Sequence, residues 1–145
     1  MSAELQDLYQ EMILDHNRRP RNFRAIADAR HAEGYNPLCG DRITMMLAID
    51  DAGQTETISD VAFTGRGCAI SQASASLLTD RIKGMPLEEV ARIGRADVLE
   101  ELGIEISPAR LKCALLSLDT LQKALDGRVA WVADTGAGAA GEAAP

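Results

Sequence analysis

Three cysteines and one aspartate hold the chemistry this sequence offers. Cys39 lies in Asn36-Pro37-Leu38-Cys39-Gly40-Asp41, between a proline and a glycine. Such a loop exposes its backbone and turns side chains outward. Cys68 follows Gly65-Arg66-Gly67 and directly precedes a helical pattern. Its thiol meets the positive end of that helix, which favours the thiolate. Cys113 belongs to a helix whose apolar stripe is Leu111, Ala114, Leu115, Leu118, Leu121 and Leu125. At ~100° per residue it falls on the order of 140° from the centre of that stripe. It sits beside Arg110 and Lys112, two cations that also favour thiolate. A free cysteine ordinarily fills a core. Three at loop or polar-face positions read instead as thiolates converging from three segments, and Asp41 brings a carboxylate oxygen to the same point.

Three sulfurs and one oxygen suit tetrahedral zinc, with Zn–S ~2.3 Å and Zn–O ~2.0–2.2 Å. The same thiolates suit iron and iron–sulfur clusters. Oxygen is the harder donor and hence the exchangeable position. A fourth cysteine would lock the metal; the aspartate leaves the site able to open. There is no CxxC pair. The spacing therefore leaves the occupant open among zinc, iron and an iron–sulfur cluster.

These residues need elements to position them. Leu5, Leu8, Tyr9, Met12 and Ile13 predict a first helix, stopped by Arg18-Arg19-Pro20. Residues 21 to 40 carry no clear period and read as an extended connection. Ile43, Met45, Leu47 and Ile49 then alternate with Arg42, Thr44, Met46 and Ala48, a strand with one buried face. Asp50-Asp51-Ala52-Gly53 turns the chain into a second alternating strand holding Val61 and Phe63, which predicts an antiparallel hairpin. Gly65-Arg66-Gly67-Cys68 breaks the strand pattern. Helices are expected from about Ala69 to Lys83 and from Leu87 to Ile93, with a shorter piece around Val98, Leu99 and Leu102. Ser107-Pro108 reads as the N-cap and first residue of the last helix. The result is an α+β architecture, a small antiparallel sheet with helices on one face.

The chain has 145 residues, one domain's worth, and a net charge of −7. That acidity gives no general attraction to nucleic-acid phosphates, and 3% aromatics provide no base-stacking platform. No apolar run approaches ~20 residues, so no membrane span is expected. Glu4, Asp7 and Glu11 stand where a signal peptide would be basic and then apolar, so the expected compartment is the cytoplasm. In a reducing compartment an odd cysteine count favours thiol chemistry or metal ligation over disulfides. From Gly127 to the end the chain is Gly/Ala-rich without a period, expected to be a largely disordered tail that Trp131 pins to a domain spanning 1–126.

Several runs resemble one family closely. Leu8-Tyr9-Gln10-Glu11-Met12-Ile13-Leu14-Asp15-His16 with Pro20-Arg21-Asn22-Phe23 is similar to the opening of the IscU/SufU family of iron–sulfur cluster assembly proteins. So are Gly34-Tyr35-Asn36-Pro37-Leu38-Cys39-Gly40-Asp41 and Phe63-Thr64-Gly65-Arg66-Gly67-Cys68-Ala69-Ile70-Ser71 followed by Ala73-Ser74-Ala75-Ser76. Pro108-Ala109-Arg110-Leu111-Lys112-Cys113-Ala114 completes a match running from about residue 5 to 126. The resemblance implies a three-stranded antiparallel sheet with helices packed on one face. It implies Cys39, Asp41, Cys68 and Cys113 as ligands of zinc, iron or a transient [2Fe–2S] cluster. It also implies a cysteine desulfurase as sulfur donor and apo iron–sulfur proteins as acceptors, with the chain monomeric or weakly self-associating. Cys39, in its glycine-flanked loop, is the expected sulfur acceptor.

The chain departs from both branches. Lys112 precedes the last cysteine, as in SufU-type proteins, where IscU-type proteins have histidine. Cys68 and Cys113 are 45 residues apart, a short IscU-like interval. Ile106-Ser107-Pro108-Ala109-Arg110 replaces the IscU chaperone-recognition segment, so no dedicated Hsp70 is expected.

Among the remaining residues, Arg110 reads either as a partner for Asp41 when that carboxylate leaves a metal or as half of an exposed salt bridge elsewhere, and Lys112 either as the holder of an incoming anion or persulfide or as a solvated helix cation. His16 reads as a capping or surface residue and His31 as a solvated loop histidine. Met45 shares the buried phase of its strand and Met46 does not.

Overall fold

The computed structural model describes residues 3–37 and 40–126. The elements are α1 (Ala3–Arg18), β1 (Arg30–Asn36), β2 (Asp41–Asp50), β3 (Thr57–Arg66), α2 (Ala69–Ile82), α3 (Leu87–Val90), α4 (Arg95–Leu102), a 3-10 turn (Pro108–Arg110) and α5 (Leu111–Asp126). The three strands form one antiparallel sheet in the order β1-β2-β3. The α+β architecture and the three-stranded sheet stand as expected.

The third strand is β1, inside the segment read as an extended connection. Its inward positions are Ala32, Gly34 and Asn36, so it carries none of the large apolar residues that announce a buried face. Small residues are needed there because α5 lies close above: a Cβ on Gly34 would collide with Thr120 Oγ1. His31 is accordingly half-buried in this strand and not in a solvated loop.

β3 runs through Gly65 and ends at Arg66, so the expected break falls at Gly67 and not at Gly65. Gly65 sits at φ +140°, and a Cβ there would strike the backbone carbonyl of Arg42 on β2. The strand continues because this residue is glycine.

α2 and α5 pack side by side on the inner face, against Ile43, Met45, Leu47, Val61 and Phe63. The opposite face is not open. Residues 22–24 bond to the free edge of β3, through Phe63 N to Asn22 O (2.9 Å) and Arg24 N to Phe63 O (3.2 Å). The chain then crosses toward β1, and the Ile26 amide donates to Met46 Sδ at 3.4 Å. Met46 is therefore buried as well as Met45, contrary to the alternation.

α1 packs outside α2, and only its C-terminal half is covered; Ile13 is buried while Leu8 is 68% exposed. His16 is buried, not at the surface, with Nδ1 2.7 Å from the Ser76 hydroxyl on α2. Serine at 76 leaves the room that lets α1 approach. Burial lowers the His16 pKa below 6.5, the nearby Arg21 lowers it further, and Asp15 and Asp80 oppose both. Ser107 makes no side-chain cap, and Pro108–Arg110 forms a 3-10 turn before α5 begins. Among the described residues no helix is long and apolar enough to cross a membrane. The tail from 127 onward, with Trp131, lies outside the described residues.

Candidate metal centre

β1 and β2 form a hairpin in which Asn36 pairs with Asp41. The turn closes with Gly40 N bonded to Asn36 O at 2.8 Å, and Gly40 takes the left-handed φ of +75°. Asp41 thus begins β2 on the inner face and is 3% exposed. Cys39, the expected sulfur acceptor, lies outside the described residues; its neighbours Gly40 and Asp41 both line the cleft described below.

Cys68 is the N-cap residue of α2, with extended backbone and no side-chain cap bond, so its sulfur is not spent on the helix end. Its amide donates to Asp41 Oδ1 at 3.3 Å, and its Sγ is 3.9 Å from Asp41 Oδ2. The Ser71 hydroxyl donates back to the Cys68 carbonyl at 3.1 Å.

Cys113 is fully buried in the first turn of α5. The polar-face placement is thereby corrected. The helical wheel treats α5 as having one buried side, but its first half is wedged between the sheet and α2, and every residue from Cys113 to Leu118 is buried. The Ser74 hydroxyl on α2 donates to Ala114 O at 2.6 Å and lies 3.1 Å from Ser117 Oγ. These contacts lock the two helices together and hold Cys68 in register with Cys113. The Asn36 side-chain amide donates to Cys113 Sγ at 3.7 Å, a buried contact that sequence reasoning missed.

One carboxylate oxygen of Asp41, Cys68 Sγ and Cys113 Sγ all lie within 4.8 Å of one another. Ligands of a tetrahedral zinc, at ~2.3 Å for sulfur and ~2.0–2.2 Å for oxygen, stand about 3.5–3.8 Å apart. The donors therefore need less than a rotamer's adjustment to close on one ion. Two cysteine sulfurs and a carboxylate, two of the three residues buried, are donor types that a divalent cation takes. The three described donors fit zinc or ferrous iron in type and spacing.

The site opens on a cleft of about 710 Å³ lined by Gly40, Asp41, Arg66, Gly67, Cys68, Ala109 and Arg110. Gly67 must be small: a Cβ would collide with Ser71 Oγ and come within 3.1 Å of the Asp41 carboxyl. Arg110 lines this cleft and makes no ion pair with Asp41. Lys112 does not line it; it lines a separate hollow of about 320 Å³ with Tyr35, Asn36, Pro37 and Arg95 among others.

Residues 8–128 match the model of the NifU-like N-terminal domain. The chain belongs to that family. It is 34% identical over 139 residues to the zinc-dependent sulfurtransferase SufU of Bacillus subtilis, covering 84% of this chain and 92% of that protein. It is 30% identical over 142 residues to the iron–sulfur cluster assembly scaffold protein IscU of Streptococcus pyogenes, covering 85% and 86%. A solved structure from thermophilic Fervidobacterium islandicum, put forward as a cluster assembly scaffold for the SUF system, superposes with TM-score 0.65 at 30% identity over 79% of this chain and 94% of that one.

Proposed function

We propose that this chain accepts sulfur from a cysteine desulfurase at a site formed by Cys39, Asp41, Cys68 and Cys113, and scaffolds or feeds iron–sulfur cluster formation. The observation that carries the reading is the convergence of Asp41, Cys68 and Cys113 from three separate elements at the edge of an open cleft. Membership of the NifU-like N-terminal family supports it.

Zinc held by these four residues would keep their sulfurs as thiolates at neutral pH and free of stray oxidation. Cys113 is the buried anchor, oriented by Asn36. Asp41 is the exchangeable oxygen, steadied by the Cys68 amide. Cys39 receives the sulfur. The donor persulfide's outer sulfur passes to the Cys39 sulfur; the donor S–S bond breaks, a new S–S bond forms, and the donor departs as a thiol. No net oxidation occurs. Arg110 brings positive charge to the approach, and Lys112 lies beside a separate hollow. The desulfurase and apo acceptor proteins are the partners, the cytoplasm the compartment, and the chain a monomer or weak homo-oligomer.

Lys112, in the place where a histidine marks IscU-type chains, favours a second reading: a zinc-dependent sulfurtransferase that activates the desulfurase without holding a cluster. Anaerobic reconstitution with iron and sulfide separates the two. A cluster spectrum with transfer to an apo acceptor supports the scaffold. Zinc that resists displacement, with strong desulfurase activation, supports the sulfurtransferase. Neither a cluster nor any effect on a desulfurase overturns both.

A further inference from the structure

The mouth of the cleft carries a charge arrangement that folding alone does not ask for. Arg42 and Arg66 stand directly opposite each other on β2 and β3. Like charges in register across an antiparallel pair destabilise a sheet. The conflict is only partly relieved, because Arg42 is drawn onto the Tyr35 ring, 4.9 Å from its centroid. The Arg66 guanidinium makes no hydrogen bond or ion pair among the described residues, and neither does the Arg110 guanidinium across the cleft. Both line the cleft that exposes Asp41 and Cys68. In a chain of net charge −7, two unpaired guanidiniums face the point where anionic ligands converge. A local rule broken beside a functional site, with no structural gain, is the signature of a residue kept for its chemistry.

We propose that Arg66 and Arg110 form an anion clamp that draws a donor's anionic sulfane sulfur into the cleft on its Cys68 side. This rests on the reading of the chain as a sulfur acceptor. The donor's sulfane sulfur is anionic, and a guanidinium on each side of the mouth attracts it at the encounter. Cys68 is partly exposed and Cys113 fully buried, so the donor meets the Cys68 face first. Arg66 is a positioning residue: it acts on capture and not on the sulfur exchange itself. The same chemistry is presented by a persulfide on a partner protein and by a small sulfane-sulfur anion.

The test uses the zinc-loaded full chain with Arg66→Gln, Arg66→Lys and Arg110→Gln, and Arg92→Gln as a control for the loss of one remote surface charge. One arm titrates thiosulfate, a small dianion bearing sulfane sulfur, by calorimetry. The other varies protein concentration in a desulfurase assay at two ionic strengths. Arg66→Gln is expected to raise the half-saturating concentration about five- to tenfold at low salt, with the maximal rate within about twofold and a shallower salt dependence. Arg110→Gln should behave alike, Arg66→Lys should recover most of the loss, and Arg92→Gln should be silent. A defect confined to the desulfurase arm supports the clamp with a protein-borne persulfide as the source; one confined to thiosulfate supports it with a small donor. No defect in either arm, or an equal defect in Arg92→Gln, overturns the clamp. If the unaltered protein fails to stimulate any desulfurase, the sulfur-acceptor reading falls and the thiosulfate arm still decides whether the clamp exists.

Discussion

Gly67→Ala probes the site through a single added methyl group. The new Cβ would overlap Ser71 Oγ and press on the Asp41 Cγ and Oδ1 at 3.1 Å. Gly67 has no left-handed φ, so the cost is steric and not conformational. Ser71 is a short side chain and can rotate away, at the loss of its 3.1 Å bond to the Cys68 carbonyl. A hydrogen bond of this kind is worth about 0.5–1.5 kcal/mol. Asp41 has less freedom, being 3% exposed and tied to the Cys68 amide. Crowding such a group costs about 1–3 kcal/mol. Together they predict a loss of about 1.5–4.5 kcal/mol in urea unfolding of the chelator-treated protein. Shifting Asp41 should also weaken zinc about 10–100-fold in chelator competition, as loss of ligand support does elsewhere. Adding Ser71→Ala separates the two effects, because it removes the first clash and leaves the second. The double variant lacks the same Ser71 bond, so it should recover little of the stability or the zinc affinity; recovered zinc affinity would place the crowding at Ser71 and not at Asp41. Gly67→Ala with unchanged stability and unchanged zinc affinity refutes the geometry.

Asn36→Ala removes the amide donor to Cys113 Sγ and should lower zinc affinity about tenfold; Asn36→Asp, which sets a carboxylate against that sulfur, should lower it further. Cys39→Ser should abolish desulfurase stimulation while circular dichroism stays unchanged, and retained stimulation removes Cys39 from the acceptor role. In the scaffold reading Asp41→Ala should slow cluster release, measured as transfer to an apo acceptor; faster loss counts against an exchangeable oxygen. His16 gives a pH signature. Its folded pKa lies below 6.5, so the unfolded chain binds the proton first as pH falls. The stability it contributes is full above about pH 6.5 and is lost as pH drops toward the folded pKa. Asp15 and Asp60, held low chiefly by hydrogen bonds from Arg21 and Arg24, lose theirs only below about pH 3.8. His16→Gln should flatten the upper limb of the stability–pH curve and spare the lower one.

The parts of this fold that were legible in the sequence are those where burial is one-sided. β2 alternates because one face meets the helices, and Ile43, Met45 and Leu47 lie where the period puts them. β1 is invisible to the same reasoning because its inner face must be small: Ala32, Gly34 and Asn36 make room for α5 and carry no hydrophobic signal. Met46 and Cys113 fail for a common reason. Each lies on the face that periodicity assigns to solvent, and each is covered by a third layer, the 22–26 segment over Met46 and the α2–sheet wedge around Cys113. α2 illustrates the limit most fully. Residues 71 to 79 are all buried, because Ala and Ser on every side let α1, α5 and the sheet approach together. The thiols and the carboxylate stood out by type and by their glycine and proline neighbours. Asn36, Gly67 and Arg66 did not, since what they do depends on what the fold lays against them.

Zinc-edge X-ray absorption on the purified protein tests the central claim most directly. The account predicts three sulfurs at about 2.3 Å and one oxygen at about 2.0–2.2 Å, with one sulfur lost from the shell in Cys68→Ser and one in Cys113→Ser. A shell of oxygen and nitrogen alone, or one that neither substitution alters, would contradict it.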